Sequence, residues 1–212
     1  MQTRKHPVGI NIAKTNDLQL LGKQSIEDML YTYKKFSTIA DYLVLNLSCP
    51  NTKDGKTFEE EQPLRMLLTA IQNCRSSKPL LVKISPNLSP QNLEKIVESS
   101  INFSIDGFII SNTLSTERGG LSGIPLQKDS TKTIRRVYQQ TDGKKPIIGV
   151  GGINSAESAY EKIKSGASLI QIYTGLIFQG PNLIKKINKG LVKLLRDDGF
   201  SCIAHAVGTD AK

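Results

Sequence analysis

The sequence predicts an α/β fold of the β/α-barrel (TIM) type, with six of its eight strand–helix units present. Three observations carry this. Six short runs rich in Ile, Val and Leu recur along the chain, as buried parallel strands do. Each is followed by a segment with helical spacing of apolar residues. The polar and glycine residues interrupting the apolar runs fall at the C-terminal ends of different strands, the rim where a barrel of this kind builds its site. An open doubly wound sheet concentrates such residues at a switch point instead.

The strands are PVGINI (7–12), YLVLNLS (42–48), LLVKIS (80–85), GFIISN (107–112), PIIGVGG (146–152) and LIQIYTG (169–175). The helices fall near 25–38, 62–76, 90–101, 129–140, 155–165 and 181–197. In the last of them Leu183, Ile184, Ile187, Leu191, Leu194 and Leu195 recur at helical spacing between lysines. Pro181 suits its first turn, and Gly199 lies just past its end. Ser155 caps the helix before Gly166, which terminates it. No linker or low-complexity segment interrupts the pattern, so residues 1–212 read as a single domain. Met1 leads almost directly into the first strand, so the sequence reads as the C-terminal part of a barrel whose first two units are absent. Six parallel strands would leave two edges open to pairing.

Composition narrows the function. The chain has 212 residues, 38% of them hydrophobic and 22% charged, ordinary for a soluble globular protein. No apolar run reaches the length of a membrane span, and MQTRKHPVG lacks the apolar stretch of a secretory signal. The expectation is a cytoplasmic protein. Cys49, Cys74 and Cys202 are few, odd in number and widely spaced, which suggests neither a disulfide framework nor a metal site. A net charge of +9 raises the expectation of an anionic partner. The lysines are scattered, as on solvated helix faces, and no nucleic-acid signature accompanies them.

The residues at the strand ends suggest chemistry. Gly151 and Gly152 end the fifth strand, where a glycine pair permits close approach of backbone to an anion. Tyr173 and Thr174 end the sixth, and loops after the last two strands of such barrels commonly bind phosphate. Lys83 interrupts an apolar strand, a costly position unless an anion or polar cavity receives it. Asn46-Leu47-Ser48-Cys49-Pro50-Asn51-Thr52 runs from a strand end into a loop. Its two asparagines offer donors and acceptors to a planar amide-bearing ligand. Cys49, between them, is placed to act as base or nucleophile. Ser111, Asn112 and Thr113 close the fourth strand, and Gly119-Gly120-Leu121-Ser122-Gly123 follows as a loop suited to wrapping a flat or anionic ligand. Cys74 and Cys202 have no such company and read as structural.

Taken in order, NLSCPNT, LVKISPNL, ISNT, GGLSGIPL, IIGVGGI, GASLIQIYTG and the terminal GF-x-x-I resemble the motifs of dihydroorotate dehydrogenases over essentially the whole chain. GGLSG-x-PL followed by Ser130-Thr131 resembles class 2, the quinone-dependent branch. The resemblance implies an FMN barrel that oxidises dihydroorotate to orotate in pyrimidine (UMP) biosynthesis. It implies FMN contacts at Asn11, Asn46, Lys83, Ser111, Gly123, Gly151, Gly152, Tyr173 and Thr174. It implies substrate contacts at Asn46, Asn51, Asn112 and Thr113, and places Cys49 at the base position. A quinone would reoxidise the flavin, and the complete class 2 enzyme would sit peripherally on the membrane. Three features depart from class 2: cysteine replaces its usual serine at position 49, residues 114–118 form a shorter loop, and the N-terminal part that would supply the first two strands is expected to be absent. Two alternatives compete. One is another FMN barrel such as a tRNA dihydrouridine synthase, although no nucleic-acid partner is expected. The other is an inactive or split fragment that needs an N-terminal partner or a homo-oligomer.

Overall fold

The computed structural model describes residues 5–17, 19–48 and 58–211. The chain divides into two compact units, Met1–Ile84 with Ser89–Gly107, and Ser85–Leu88 with Phe108–Lys212.

The first unit contains β1 (Gly9–Ile12), α1 (Lys23–Phe36), β2 (Tyr42–Asn46), α2 (Glu61–Gln72), β3 (Leu80–Ile84) and α3 (Pro90–Asn102). Its strands are parallel and pair in chain order, β2 lying between β1 and β3. The register sets Asn11 against Val44, Leu45 against Val82 and Asn46 against Lys83. Because side chains alternate along a strand, the register sorts them onto two faces. Leu43, Leu45, Leu80, Val82 and Ile84 share one face, and all five are fully buried. Asn11, Val44, Asn46, Leu81 and Lys83 share the other.

Each helix of this unit contributes an apolar stripe to the core: Ile26, Met29 and Tyr33 from α1; Leu64, Leu67, Leu68 and Ile71 from α2; Leu93, Ile96 and Val97 from α3. Each such side chain contributes about 1.5–3 kcal/mol on burial. Ser89 caps α3 by accepting a hydrogen bond from the Asn92 N–H, and Pro90 occupies its first turn. Asp106 holds the end of the unit. Its carboxylate accepts from the Leu80 N–H at 2.7 Å and from Arg75 Nη2 at 2.8 Å, while Arg75 Nη1 donates to the Phe103 carbonyl.

The second unit contains β4 (Gly107–Ile110) from Phe108 onward, β5 (Leu114–Thr116), β6 (Gly119–Leu121), α4 (Gln127–Gln140), β7 (Ile147–Val150), α5 (Ala156–Lys164), β8 (Leu169–Gln171), α6 (Thr174–Gln179), α7 (Asn182–Asp197) and α8 (Ile203–Ala206). β7 pairs in parallel with both β4 and β8, with Ile110, Gly149 and Ile170 level with one another. Side chains from Ile134 and Ala167 reach within 2.9–3.1 Å of where a Cβ on Gly149 would stand. The core joins Ile153, Ala159, Tyr160, Ile163, Leu183, Ile187, Leu191 and Ala206. Gly190 lets α7 press against Ala156 of α5, which a side chain there would strike. The C-terminal segment is tied down by Gln139 Nε2 donating to the Ala211 carbonyl and by Tyr160 donating to Asp198.

All six expected strand–helix units are present. α5 begins at Ser155 with a reciprocal cap to Ser158, and Gly166 past its end has φ +120°. The strands are shorter than their apolar runs at the C-terminal ends, because the polar residues there leave the ladder. Two segments differ from expectation. The glycine-rich stretch after Thr113 is partly an antiparallel hairpin, β5 with β6, rather than a plain loop. Thr174 opens a short helix rather than ending a strand.

Candidate active site

In the first unit, the strand register gathers three of the expected residues on one face. Asn46 and Lys83 are level on adjacent strands, and Asn11 lies on β1 level with Val44. Asn46 is buried and Lys83 half-buried. Burial lowers the Lys83 pKa from the usual lysine value. A cation held at such a position favours a ligand that carries or develops negative charge. Cys49 and Asn51 lie outside the described residues.

The second unit gathers the rest. Ser111 and Asn112, just past the end of β4, are 3% and 8% exposed. The Ser111 Oγ has no hydrogen-bond partner among the described residues. A buried hydroxyl left so costs about 1–3 kcal/mol, so this atom is suited to a ligand. The Ser111 N–H donates to the Val150 carbonyl at 3.0 Å. The same carbonyl accepts a short hydrogen bond from Ser130 Oγ.

Val150 leads into the Gly151-Gly152 turn, where φ is +112° and +73°. Only glycine adopts both angles readily. A Cβ on Gly152 would also stand 2.7 Å from the Cα of Gln127, so the turn lies directly against the start of α4. Gly123, at φ +83°, packs on the Thr174 methyl, where a Cβ would stand 3.2 Å away. Thr174 Oγ1 donates to Ser122 Oγ at 2.9 Å. The segment that follows the hairpin and the start of α6 are thereby pinned together. Tyr173 is 72% exposed.

These residues fit a flavin on two structural grounds. The Gly151-Gly152 turn carries its backbone in a conformation that glycine alone adopts readily, and the buried Ser111 hydroxyl beside it is left unsatisfied among the described residues. Among the described residues, no group of His, Cys, Asp or Glu suits a metal ion.

A match to the family model described as dihydroorotate dehydrogenase spans residues 1–195. The chain belongs to the dihydroorotate dehydrogenase family. A relative from Natronomonas pharaonis, named dihydroorotate dehydrogenase (quinone), is 41% identical over 215 residues, covering 96% of this chain and 60% of its own length. One of the same name from Crocosphaera subtropica is 41% identical, covering 99% of this chain and 60% of itself. The crystal structure of ligand-free DHODH from Eimeria tenella superposes with a TM-score of 0.90 at 31% identity, covering all of this chain and 66% of that one. Its complex with ferulenol gives 0.85 over 95% of this chain and 61% of that one. The fold is therefore that of the family's β/α barrel, represented here by six strand–helix units. The chain spans about 60% of the length of the curated relatives it matches.

One member of the second unit's polar cluster escaped the reading of the sequence. Lys162 is fully buried on α5, and Ser130 and Thr131 of α4 accept its hydrogen bonds. The signal was present in the helical spacing: Lys162 follows Ala159 by three residues and precedes Ile163, on the apolar side of the helix. Cys74 is partly buried, with its thiol on the Ala70 carbonyl, whereas Cys202 is exposed.

Proposed function

We propose that this chain takes part in the oxidation of dihydroorotate to orotate, a step of pyrimidine biosynthesis, with FMN as its cofactor. The observation that carries the reading is the second unit's Gly151-Gly152 turn beside the unsatisfied Ser111 hydroxyl. Gly123, Gly151, Gly152, Tyr173 and Thr174 would hold the phosphate end of FMN. Asn11, Asn46, Lys83 and Ser111 would serve its ring. When bound, FMN supplies the acceptor for the hydride that leaves C6 of the substrate.

The chain's own residues do the rest. Asn46, Asn51, Asn112 and Thr113 orient the pyrimidine ring through its amide edges. Cys49 removes the C5 proton, and the electron pair of that C–H bond forms the C5=C6 double bond of orotate. Lys83 places a cation where negative charge develops. The quinone relatives support a quinone as the final electron acceptor, and the complete enzyme would then sit peripherally on the membrane. No helix among the described residues is long and apolar enough to cross a membrane.

Orotate formation by the wild type and by Cys49→Ala tests this reading. The account expects orotate from the wild type with a quinone present, and FMN retention without orotate from the variant. An active Cys49→Ala protein would remove Cys49 from the base role.

A second reading is favoured by apolar exposure in the second unit. Leu169 is 61% exposed, Ile177 69% and Phe178 84%. Large apolar side chains this exposed mark a contact surface where they lie together. In this reading a further N-terminal polypeptide covers them and completes the site. Restoration of activity on mixing with a separately made N-terminal half supports it; no activity on mixing counts against it.

A further inference from the structure

We propose that Lys162 is a positioning residue for the cofactor phosphate: through Ser130 it fixes the Val150 carbonyl, and with it the Gly151-Gly152 turn that receives the anion. The inference rests on the FMN reading above and assigns a role to a residue that the reading leaves unused.

Lys162 is 0% exposed. Its Nζ donates to Ser130 Oγ at 3.0 Å, to Thr131 Oγ1 at 3.2 Å and to the Gln127 carbonyl at 3.4 Å. All three acceptors are neutral. A buried ammonium is normally paired with a carboxylate or another anion. The adjacent carboxylate, Glu161, instead accepts a hydrogen bond from Gln127 Nε2 at 2.6 Å. The three acceptors also belong to the first turns of α4, the end of a helix whose dipole is itself positive. A cation there is disfavoured until an anion lies nearby.

Donor chemistry fixes the direction of the chain of hydrogen bonds. An ammonium only donates, so Ser130 Oγ accepts from Lys162 and spends its own hydrogen on Val150. Linked bonds of this kind strengthen one another. The Val150 carbonyl immediately precedes Gly151, and a Cβ on Gly151 would stand 3.2 Å from Ser130 Oγ. Two hydrogen bonds therefore join the buried cation to the turn. Burial lowers the Lys162 pKa to about 8, and the nearby Glu161 charge offsets only part of that cost.

The test compares FMN with riboflavin, which has the same ring and no phosphate. Dissociation constants come from quenching of flavin fluorescence in the wild type, Lys162→Met, Lys162→Arg and Ser130→Ala, with circular dichroism to verify folding. Lys162→Met should lower the preference for FMN over riboflavin by about 10-fold or more, the scale of a lost hydrogen bond to a charged group. Lys162→Arg should restore part of it. Ser130→Ala keeps the charge and breaks the relay, so it too should lower the preference, and it decides the matter if Lys162→Met fails to fold. Equal weakening of both flavins, or no change in either, overturns the inference.

A wild type that binds neither flavin defeats the FMN reading instead. The inference is then decided by inorganic phosphate against chloride at equal ionic strength. A Tm rise in the wild type that is absent in Ser130→Ala supports it, and equal responses overturn it.

Discussion

Replacing Ser111 by alanine should make the protein more stable and its flavin affinity weaker. The hydroxyl is 3% exposed and lacks a hydrogen-bond partner among the described residues. Burial without a partner costs about 1–3 kcal/mol. Alanine removes that cost and keeps the backbone bond from residue 111 to Val150. Each kcal/mol corresponds to a Tm rise of about 2–4 °C for a chain of this size. Conversely, a neutral hydrogen bond contributes about 0.5–1.5 kcal/mol, so FMN binding should weaken by about 2- to 10-fold. Ser165 provides the control, because its buried Oγ is also unpartnered among the described residues but lies at the far end of α5, where its backbone N–H makes the C-cap. Ser165→Ala should stabilise the protein similarly and leave FMN affinity unchanged. Urea denaturation of the cofactor-free protein and fluorescence titration with FMN measure the two quantities. A Ser111→Ala protein that is less stable, with wild-type FMN affinity, would refute the assignment of this hydroxyl to a ligand.

Three further predictions concern the scaffold. The Lys162 pKa is lowered to about 8, chiefly by burial, against the usual lysine value of 10.5. The unfolded chain therefore binds more protons than the folded one between those values, and stability contributed by this group rises with pH across about 8 to 10.5. The full effect is on the order of 3 kcal/mol, and pH-dependent urea midpoints of the wild type should show a rise that Lys162→Met lacks. Asp106→Ala should cost about 1–3 kcal/mol, because it strands the buried Leu80 N–H as well as freeing Arg75; a loss below 1 kcal/mol would reduce the contact to an ordinary surface ion pair. Gly190→Ala should destabilise by about 1–3 kcal/mol through overpacking against Ala156, and an unchanged Tm would show that α5 and α7 can separate at no cost.

Much of this architecture is legible in the chain because β2, β3 and β4 are buried on nearly every residue of both faces. LLVKI and YLVLN read as continuous apolar runs, and one polar residue in each then stands out. Asn46 and Lys83 are such interruptions, and the register sets them level. Helix ends were legible where a single residue decides them, as at Ser155 and Gly166. The β5–β6 hairpin was not, because Leu114–Thr116 and Gly119–Leu121 are too short for alternation to emerge. α6 was hidden for a related reason: TGLIFQ is six residues long and continues an apolar strand pattern. Lys162 was masked by its own type, since lysine on a helix is usually a solvated side chain. Tertiary packing against α4, rather than local spacing, gives it a role.

The visible absorption spectrum of the purified chain, reconstituted with FMN and then given dihydroorotate anaerobically without an acceptor, tests the account most directly. The account predicts a bound flavin spectrum that bleaches on adding substrate. A chain that stays colourless after reconstitution, or a bound flavin that dihydroorotate leaves oxidised, would contradict it.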